Sequence, residues 1–380
     1  LSWKIPLFKI YWDDKDINAV SSVLKKGSDW AKGPEVAKFE REICEYMGIE
    51  YAVTVNSGTT ALHAALIAYG IGNGDEVIVP SFTFIATANA PLFVGAKPVF
   101  ADIEEETYGL DPVDVEKKIT PRTKAIIPIH YGGEACHIKA LKRIAEKHHL
   151  ILIEDAAESL GAMVNGKKVG TFGDSAILSF CANKVISTGE GGAILTDSMD
   201  IYKKLTLICN HGRLETGDYF SSTEQMEYVA LGYNFRMSTM TAALGLAQLG
   251  KLNNIIHKRI ENAQYMSQKL SMIKGVKVPL VPQGFSHVYQ LYTIRLNERG
   301  DLRDKLMNYL ISKGIMAKVY FYPVHQTSFY RQQFGYCQGW LPITEKIAAE
   351  VLTLPMYPTL TKEEIDYIAK TVENFLIKGK

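Results

Sequence analysis

The sequence predicts an α/β protein: a large domain with a mainly parallel mixed sheet covered by helices, then a smaller C-terminal α+β domain. Three observations carry that prediction. Between residues 50 and 200, short β-branched apolar runs alternate with helical patterns, which implies a sheet covered on both faces. Near Ser238 the texture changes to one long helical stretch, and beyond it the units become shorter. Finally, 380 residues at 47% hydrophobic and 22% charged provide enough apolar material for a large core.

The expected strands are Tyr51–Val55, Glu76–Val79, Pro98–Ala101, Ala125–Pro128, Leu150–Ile153, Ala176–Phe180 and Ala193–Thr196, each a short apolar run of strand length. Helices are expected at Thr59–Tyr69, Thr83–Phe93, Pro112–Lys118, Ile138–His148 and Met199–Cys209. From Ser238, a suitable N-cap, to about Lys274, the spacing of Ala242, Leu246, Leu249, Leu252 and Ile256 predicts a single helix closed by Gly275. A strand at His287–Leu296, a helix at Leu302–Lys313, a strand at Ile315–Val319 and a helix at Lys362–Ile377 complete the chain. The domains therefore read as residues 1–240, a connecting helix over 241–275, and residues 276–380. No repeat, low-complexity tract or flexible linker separates them, so they should pack closely.

Composition excludes several classes. A net charge of +1 without a basic stripe speaks against nucleic acid as a partner. No apolar run reaches the roughly 18–20 residues of a membrane span, and the first residues lack the apolar stretch of a signal peptide. The five cysteines are scattered and never C-x-x-C, which suits reduced thiols in a cytoplasmic protein. The histidines show no metal-ligand spacing, so no metal is expected.

Three segments carry chemistry. Asn56-Ser57-Gly58-Thr59-Thr60-Ala61-Leu62 follows a strand and opens a helix, gathering N–H groups and hydroxyls at a positive helix end. It reads as a phosphate cup or as a capped helix with a glycine turn. Leu150–Ile153 runs into Glu154-Asp155, placing an acid at the carboxyl end of a buried strand, where open α/β sheets bind ligands. That acid could also cap the following turn. The third segment is a strand, Asp174–Phe180, followed by Cys181-Ala182-Asn183-Lys184 and a glycine-rich turn through Gly192. Lys184 stands among small and apolar residues, where an amine can lose its charge and attack carbonyls. Lysine, strand-end acid and phosphate cup together form the set that pyridoxal phosphate (PLP) requires: an amine for its aldehyde, an acid for its ring nitrogen and donors for its phosphate.

These segments occur in order with Gly33–Glu40, Pro80–Phe84, Gly232–Met237, Tyr320–His325 and Leu354–Pro358. Together they resemble the DegT/StrS-type nucleotide-sugar aminotransferases, a branch of the fold-type I PLP enzymes, over nearly the whole chain. The resemblance implies Lys184 as the catalytic lysine, Asp155 as partner of the ring nitrogen, and Gly58, Thr59 and Ser179 as phosphate ligands. Phe84 would stack on the ring and Glu158 would lie near its hydroxyl. Asn234 would reach the cofactor phosphate of the neighbouring subunit, which implies a homodimer with a shared active site.

The implied reaction moves an amino group from glutamate to a nucleotide-linked keto-deoxyhexose. A 4-keto acceptor is favoured by the likeness of Glu158 and Asn183-Lys184 to perosamine-synthase-like members. Related sugar 3-dehydratases carry His where Lys184 stands, so Lys184 points to transamination. Arg236, Tyr320 and His325 are candidate contacts for sugar or diphosphate, while the aromatics read equally well as packing residues. Arg213 reads as a substrate contact or a structural ion pair, and Leu214–Tyr228 as a variable loop that shapes acceptor selectivity. The rival readings are other PLP chemistry such as dehydration, and a non-catalytic PLP- or sugar-binding regulator. The latter would be expected to bring a DNA-binding module, and these residues show no helix-turn-helix pattern or basic patch.

Overall fold

The computed structural model describes residues 3–214, 225–296 and 300–378, so most of the expected variable loop lies outside the described residues. Seven strands form the central sheet: β1 (Tyr51–Val55), β2 (Glu76–Pro80), β3 (Lys97–Ala101), β4 (Thr123–Ile126), β5 (Ile151–Asp155), β6 (Ser175–Ser179) and β7 (Gly192–Thr196). Their order is β1-β7-β6-β5-β4-β2-β3. β7 is antiparallel to both neighbours, and every other pairing is parallel. Each lies within two residues of its expected position.

Alternation along these strands builds two cores. Ile78, Leu152, Leu178 and Leu195 join one core with Phe39, Ile43, Leu141 and Leu249 from the helices Pro34–Met47, Ile138–His148 and Thr239–Leu249. Val77, Ile153, Ile177 and Ile194 face the other, with Leu62, Leu66, Ala88 and Leu205 from Gly58–Ala68, Ile85–Phe93 and Met199–Cys209. A strand period of two thus covers both faces of the sheet.

A second sheet is antiparallel, with strands Val276–Lys277, Tyr292–Leu296 and Val351–Leu354. It packs on the helices Leu252–Leu270, Gly300–Ser312 and Lys362–Lys378 around Ile294, Leu310, Leu352 and Ile368. Ile5 belongs to this core and is bonded to the backbone of Gly314 and Met316, which ties the first described residues to the C-terminal unit. Among the described residues no helix is long and apolar enough to cross a membrane.

Three expectations are corrected. The helix from Ser238 is two, Thr239–Leu249 and Leu252–Leu270. Gly250 is a poor helix former. Lys251 turns its ammonium onto Asp16 and lies 3.1 Å from Asp13 Oδ1, at the start of the helix Asp14–Lys26. Residues 315–319 form no strand and make only single bridges, Ile5 to Ile315 and Lys318 to Thr353. The strand expected from His287 begins at Tyr292, because Val288 and Leu291 donate instead to the carbonyls of Gly133 and Gly132.

The Lys251–Asp16 pair is buried, and breaking one side leaves a carboxylate without its cation. Lys251→Met is expected to lower the unfolding free energy by about 3–5 kcal/mol, read as a lower urea midpoint. An unchanged midpoint would show that this pair does not stabilise the fold.

Candidate active site

Lys184, Glu158 and Asp155 meet in a cavity of about 580 Å³ at the carboxyl ends of the central strands. Beyond β6 the chain turns, with Lys184 N donating to Cys181 O at 2.9 Å. Lys184 Nζ lies 3.4 Å from Glu158 Oε1, and their side chains are only 13% and 3% exposed. The other Glu158 oxygen accepts from Gly132 N at 2.9 Å. Gly132 has φ +62°, a left-handed conformation that suits glycine.

Adjacent acids at the end of β5 have different fates because alternation sends them to opposite faces. Glu154 is buried and accepts from Gly170, Phe172 and Gly173 N–H groups, with His130 Nε2 2.9 Å away. Burial opposes its charge, but His130 and the backbone donors hold its carboxyl below the usual range. Asp155 accepts from Thr87 Oγ1 at 2.7 Å and from Ala157 N at 3.2 Å, both neutral donors. Burial pushes its pKa above the ordinary value despite them. A buried acid in this state gains from a cationic donor.

The cup is closed by glycines. Ser57 caps the helix Gly58–Ala68, its Oγ accepting from Thr60 N at 3.1 Å. Gly58 and Thr59, whose N–H groups have no intrahelical acceptors, line the cavity with Ser179. A Cβ on Gly58 would lie 3.0 Å from Ser179 Cβ, and one on Gly192 only 2.6 Å from the Ser57 carbonyl carbon. Glycine at both positions lets β6, β7 and the helix end approach closely.

Of the residues singled out in the sequence, Gly58, Thr59, Phe84, Asp155, Glu158, Ser179, Lys184 and Tyr320 line this cavity. Asn234, Arg236 and His325 do not. Arg236 Nη1 donates to Asn210 Oδ1 at 2.7 Å and lines a separate cavity of about 210 Å³. Asn234 forms a backbone bridge with Asn210, and its carbonyl accepts from Asn56 Nδ2 at 3.5 Å. His325 is corrected from a substrate contact to an internal pin. It is fully buried, with Nδ1 2.7 Å from Ser81 Oγ and Nε2 3.2 Å from Glu345 Oε1, and burial pushes its pKa down. Arg213 is also buried, its Nη2 donating to Asn210 Oδ1 at 3.4 Å.

Sequence reasoning missed Thr87, whose partner Thr83 stands four residues earlier, just before the helix Ile85–Phe93, with its hydroxyl 2.8 Å away. It also missed Gln290, which donates to the carbonyl of Asn183. The i, i+4 threonine pair was the available signal for Thr87; Gln290 had none. The donor set fits PLP: an amine, a buried acid short of a cation, and a helix-end cup share one cavity, with the half-exposed ring of Phe84 beside them.

Sheet order, second α+β unit and cavity together define an enzyme architecture of the aminotransferase type. The chain belongs to the DegT/DnrJ/EryC1/StrS aminotransferase family, whose pattern matches residues 11–373. It is 38% identical over 347 residues to the GDP-perosamine synthase of Caulobacter vibrioides, spanning 91% of each chain. PseC of Helicobacter pylori, an aminotransferase involved in the biosynthesis of pseudoaminic acid, superposes with a TM-score of 0.92 at 30% identity, covering 98% of this chain and 99% of that one. Spr1654 of Streptococcus pneumoniae, solved in a PLP form, gives 0.91 at 26% identity, covering 100% of this chain and 99% of that one.

Two outcomes follow from this geometry. Gly192→Ala forces the Ser57 carbonyl away from the cup and should weaken PLP binding about tenfold, followed by cofactor absorbance during equilibrium dialysis. Unchanged binding would mean the close approach is not required. Glu134, next to the Gly132 turn, is buried, and burial with Glu104 and Glu106 raises its pKa to about 8. The folded state then holds this proton more tightly than the unfolded state, whose value is near 4.5. Stability should therefore fall as pH rises from 4.5 toward 8. Glu134→Gln should flatten that slope in urea titrations at pH 5 and pH 8, and a slope equal to the parent's would contradict this origin.

Proposed function

We propose that the protein is a PLP-dependent aminotransferase that moves an amino group from glutamate to a nucleotide-linked keto-deoxyhexose, with the 4-keto position as acceptor. The observation that carries the reading is Lys184 Nζ held in the cavity by Glu158, on the wall that also bears Asp155. Membership of the family and 38% identity to a GDP-perosamine synthase support a nucleotide-sugar acceptor.

When bound, PLP supplies an aldehyde that captures amines and a ring that accepts electrons as a proton leaves carbon. The chain's own residues do the rest. Gly58, Thr59 and Ser179 would hold the phosphate at the helix end, where the partial positive charge favours it. Asp155 would hold a proton on the ring nitrogen, its carboxylate fixed by Thr87 and Ala157. Phe84 would cover one face of the ring. Lys184 Nζ takes the proton from the donor's α-carbon and, in the second half, delivers one to the sugar's former carbonyl carbon. Glu158 keeps the ammonium from swinging out of the cavity between these transfers. Glutamate leaves as 2-oxoglutarate, and the ketosugar leaves with the amine.

The reading includes a homodimer. Asn234 does not line its own chain's cavity, and nearby Leu231 is 83% exposed. A second copy docked on this segment would let Asn234 serve the partner's phosphate. A cytoplasmic setting is consistent with five unpaired cysteines.

The test is a panel of GDP-, UDP- and dTDP-linked keto sugars with glutamate, read by product mass. Exchange of oxygen for an amine is expected, with turnover lost by about 10³-fold or more in Lys184→Ala. Loss of water would favour dehydration, and no product from any sugar would overturn the acceptor class.

A further inference from the structure

We propose that Lys318 is an anion subsite at the cavity opening, receiving the diphosphate of the acceptor; this rests on the acceptor class proposed above. The charged residues lining the cavity are Asp155, Glu158, Glu190, Lys184 and Lys318. The charged side chains are three carboxylates against two amines, so a diphosphate entering away from the helix-end cup would gain from a cation at its approach. Lys184 is directed inward onto Glu158 and is committed to proton transfer.

Lys318 is placed differently. Its backbone is clamped to the small sheet, with its N–H donating to Thr353 O at 3.1 Å and its carbonyl accepting from Thr353 N at 2.9 Å. The base of the side chain is therefore fixed although the residue itself is exposed. Its ammonium stands 4.9 Å from the ring centroid of Tyr320, another cavity residue. No carboxylate among the described residues lies within ion-pairing distance of it. Phe84, Ile85, Phe321 and Tyr322 line the same cavity, so Lys318 is the side chain of that apolar stretch that carries a positive charge.

Chemistry favours a diphosphate as the ligand. A lysine is a compact point charge that meets phosphoryl oxygens without fixed orientation, unlike the planar fork of arginine. Arg236 and His325, which the sequence offered for this role, stand outside the cavity. Lys318 is thus the cation this chain brings to the opening, among the described residues.

The experiment measures binding of GDP, UDP and dTDP to the PLP-loaded protein and to its Lys318→Gln and Lys318→Arg variants. Guanosine serves as the uncharged control. Lys318→Gln should raise the dissociation constant of the tightest nucleoside diphosphate about tenfold, reduce its salt dependence and leave guanosine binding unchanged. Lys318→Arg should restore most of the affinity. Lys318→Gln should also raise KM for the ketosugar more than it lowers kcat. Parent-like diphosphate affinity in Lys318→Gln would overturn the subsite. So would an equal rise in KM for glutamate, because Lys318 would then serve the donor's carboxylate. Failure of the acceptor reading shows itself separately, as a parent enzyme that binds no nucleoside diphosphate and aminates no nucleotide-linked sugar.

Discussion

A carboxylate buried at the end of β5 whose hydrogen-bond donors are all neutral, with Lys184 acting on it only through space, is the constraint around which the site is arranged. Asp155 is held by a threonine hydroxyl and a backbone N–H, enough to orient it but not to offset the loss of water. Its neighbour Glu154 shows what full satisfaction looks like, with three backbone donors and His130 on the opposite face. The contrast separates a structural acid from one left to receive a ligand. In the proposed reading, a protonated ring nitrogen against Asp155 would supply a positive charge and would couple cofactor binding to relief of an unfavourable burial.

The other parts of the site are positioned by close approaches that only small residues permit. Gly192 and Gly58 let two strand ends and a helix N-terminus converge on the cup. Gly132 takes a left-handed turn so that its N–H reaches Glu158, while its carbonyl accepts from Leu291. One turn therefore fixes the carboxylate that holds Lys184 and anchors the approach to the small sheet. Tyr131 adds a second link, its hydroxyl donating to the carbonyl of Tyr320 across the cavity wall. Movement of the small unit would be felt at Glu158 through these two contacts.

Much of this was legible in the sequence, for a physical reason. Strands, helices and the cup are local patterns of side-chain period and capping, and the seven central strands appear where those patterns put them. The order of motifs identified the family before any geometry was known. What escaped was non-local. The helix expected to run on from Ser238 is interrupted at Gly250-Lys251, and Lys251 there pairs with Asp16, far away in the chain. His325 looked like a ligand contact from its motif, but Ser81 and Glu345 take both its ring nitrogens. Thr87 looked like any helical threonine until the fold brought Asp155 beside its hydroxyl. Arg236 kept its place in the motif yet lies outside its own chain's cavity.

The central claim is that Lys184 is the amine that holds the cofactor against Asp155. Borohydride reduction of the PLP-loaded protein, followed by peptide mass mapping, tests it most directly. The account predicts one pyridoxyl-modified peptide, the one containing Lys184, with little labelling when Asp155 is replaced by Ala. Modification centred on any other lysine, or a Lys184 peptide that stays unlabelled while the protein retains bound PLP, would contradict it.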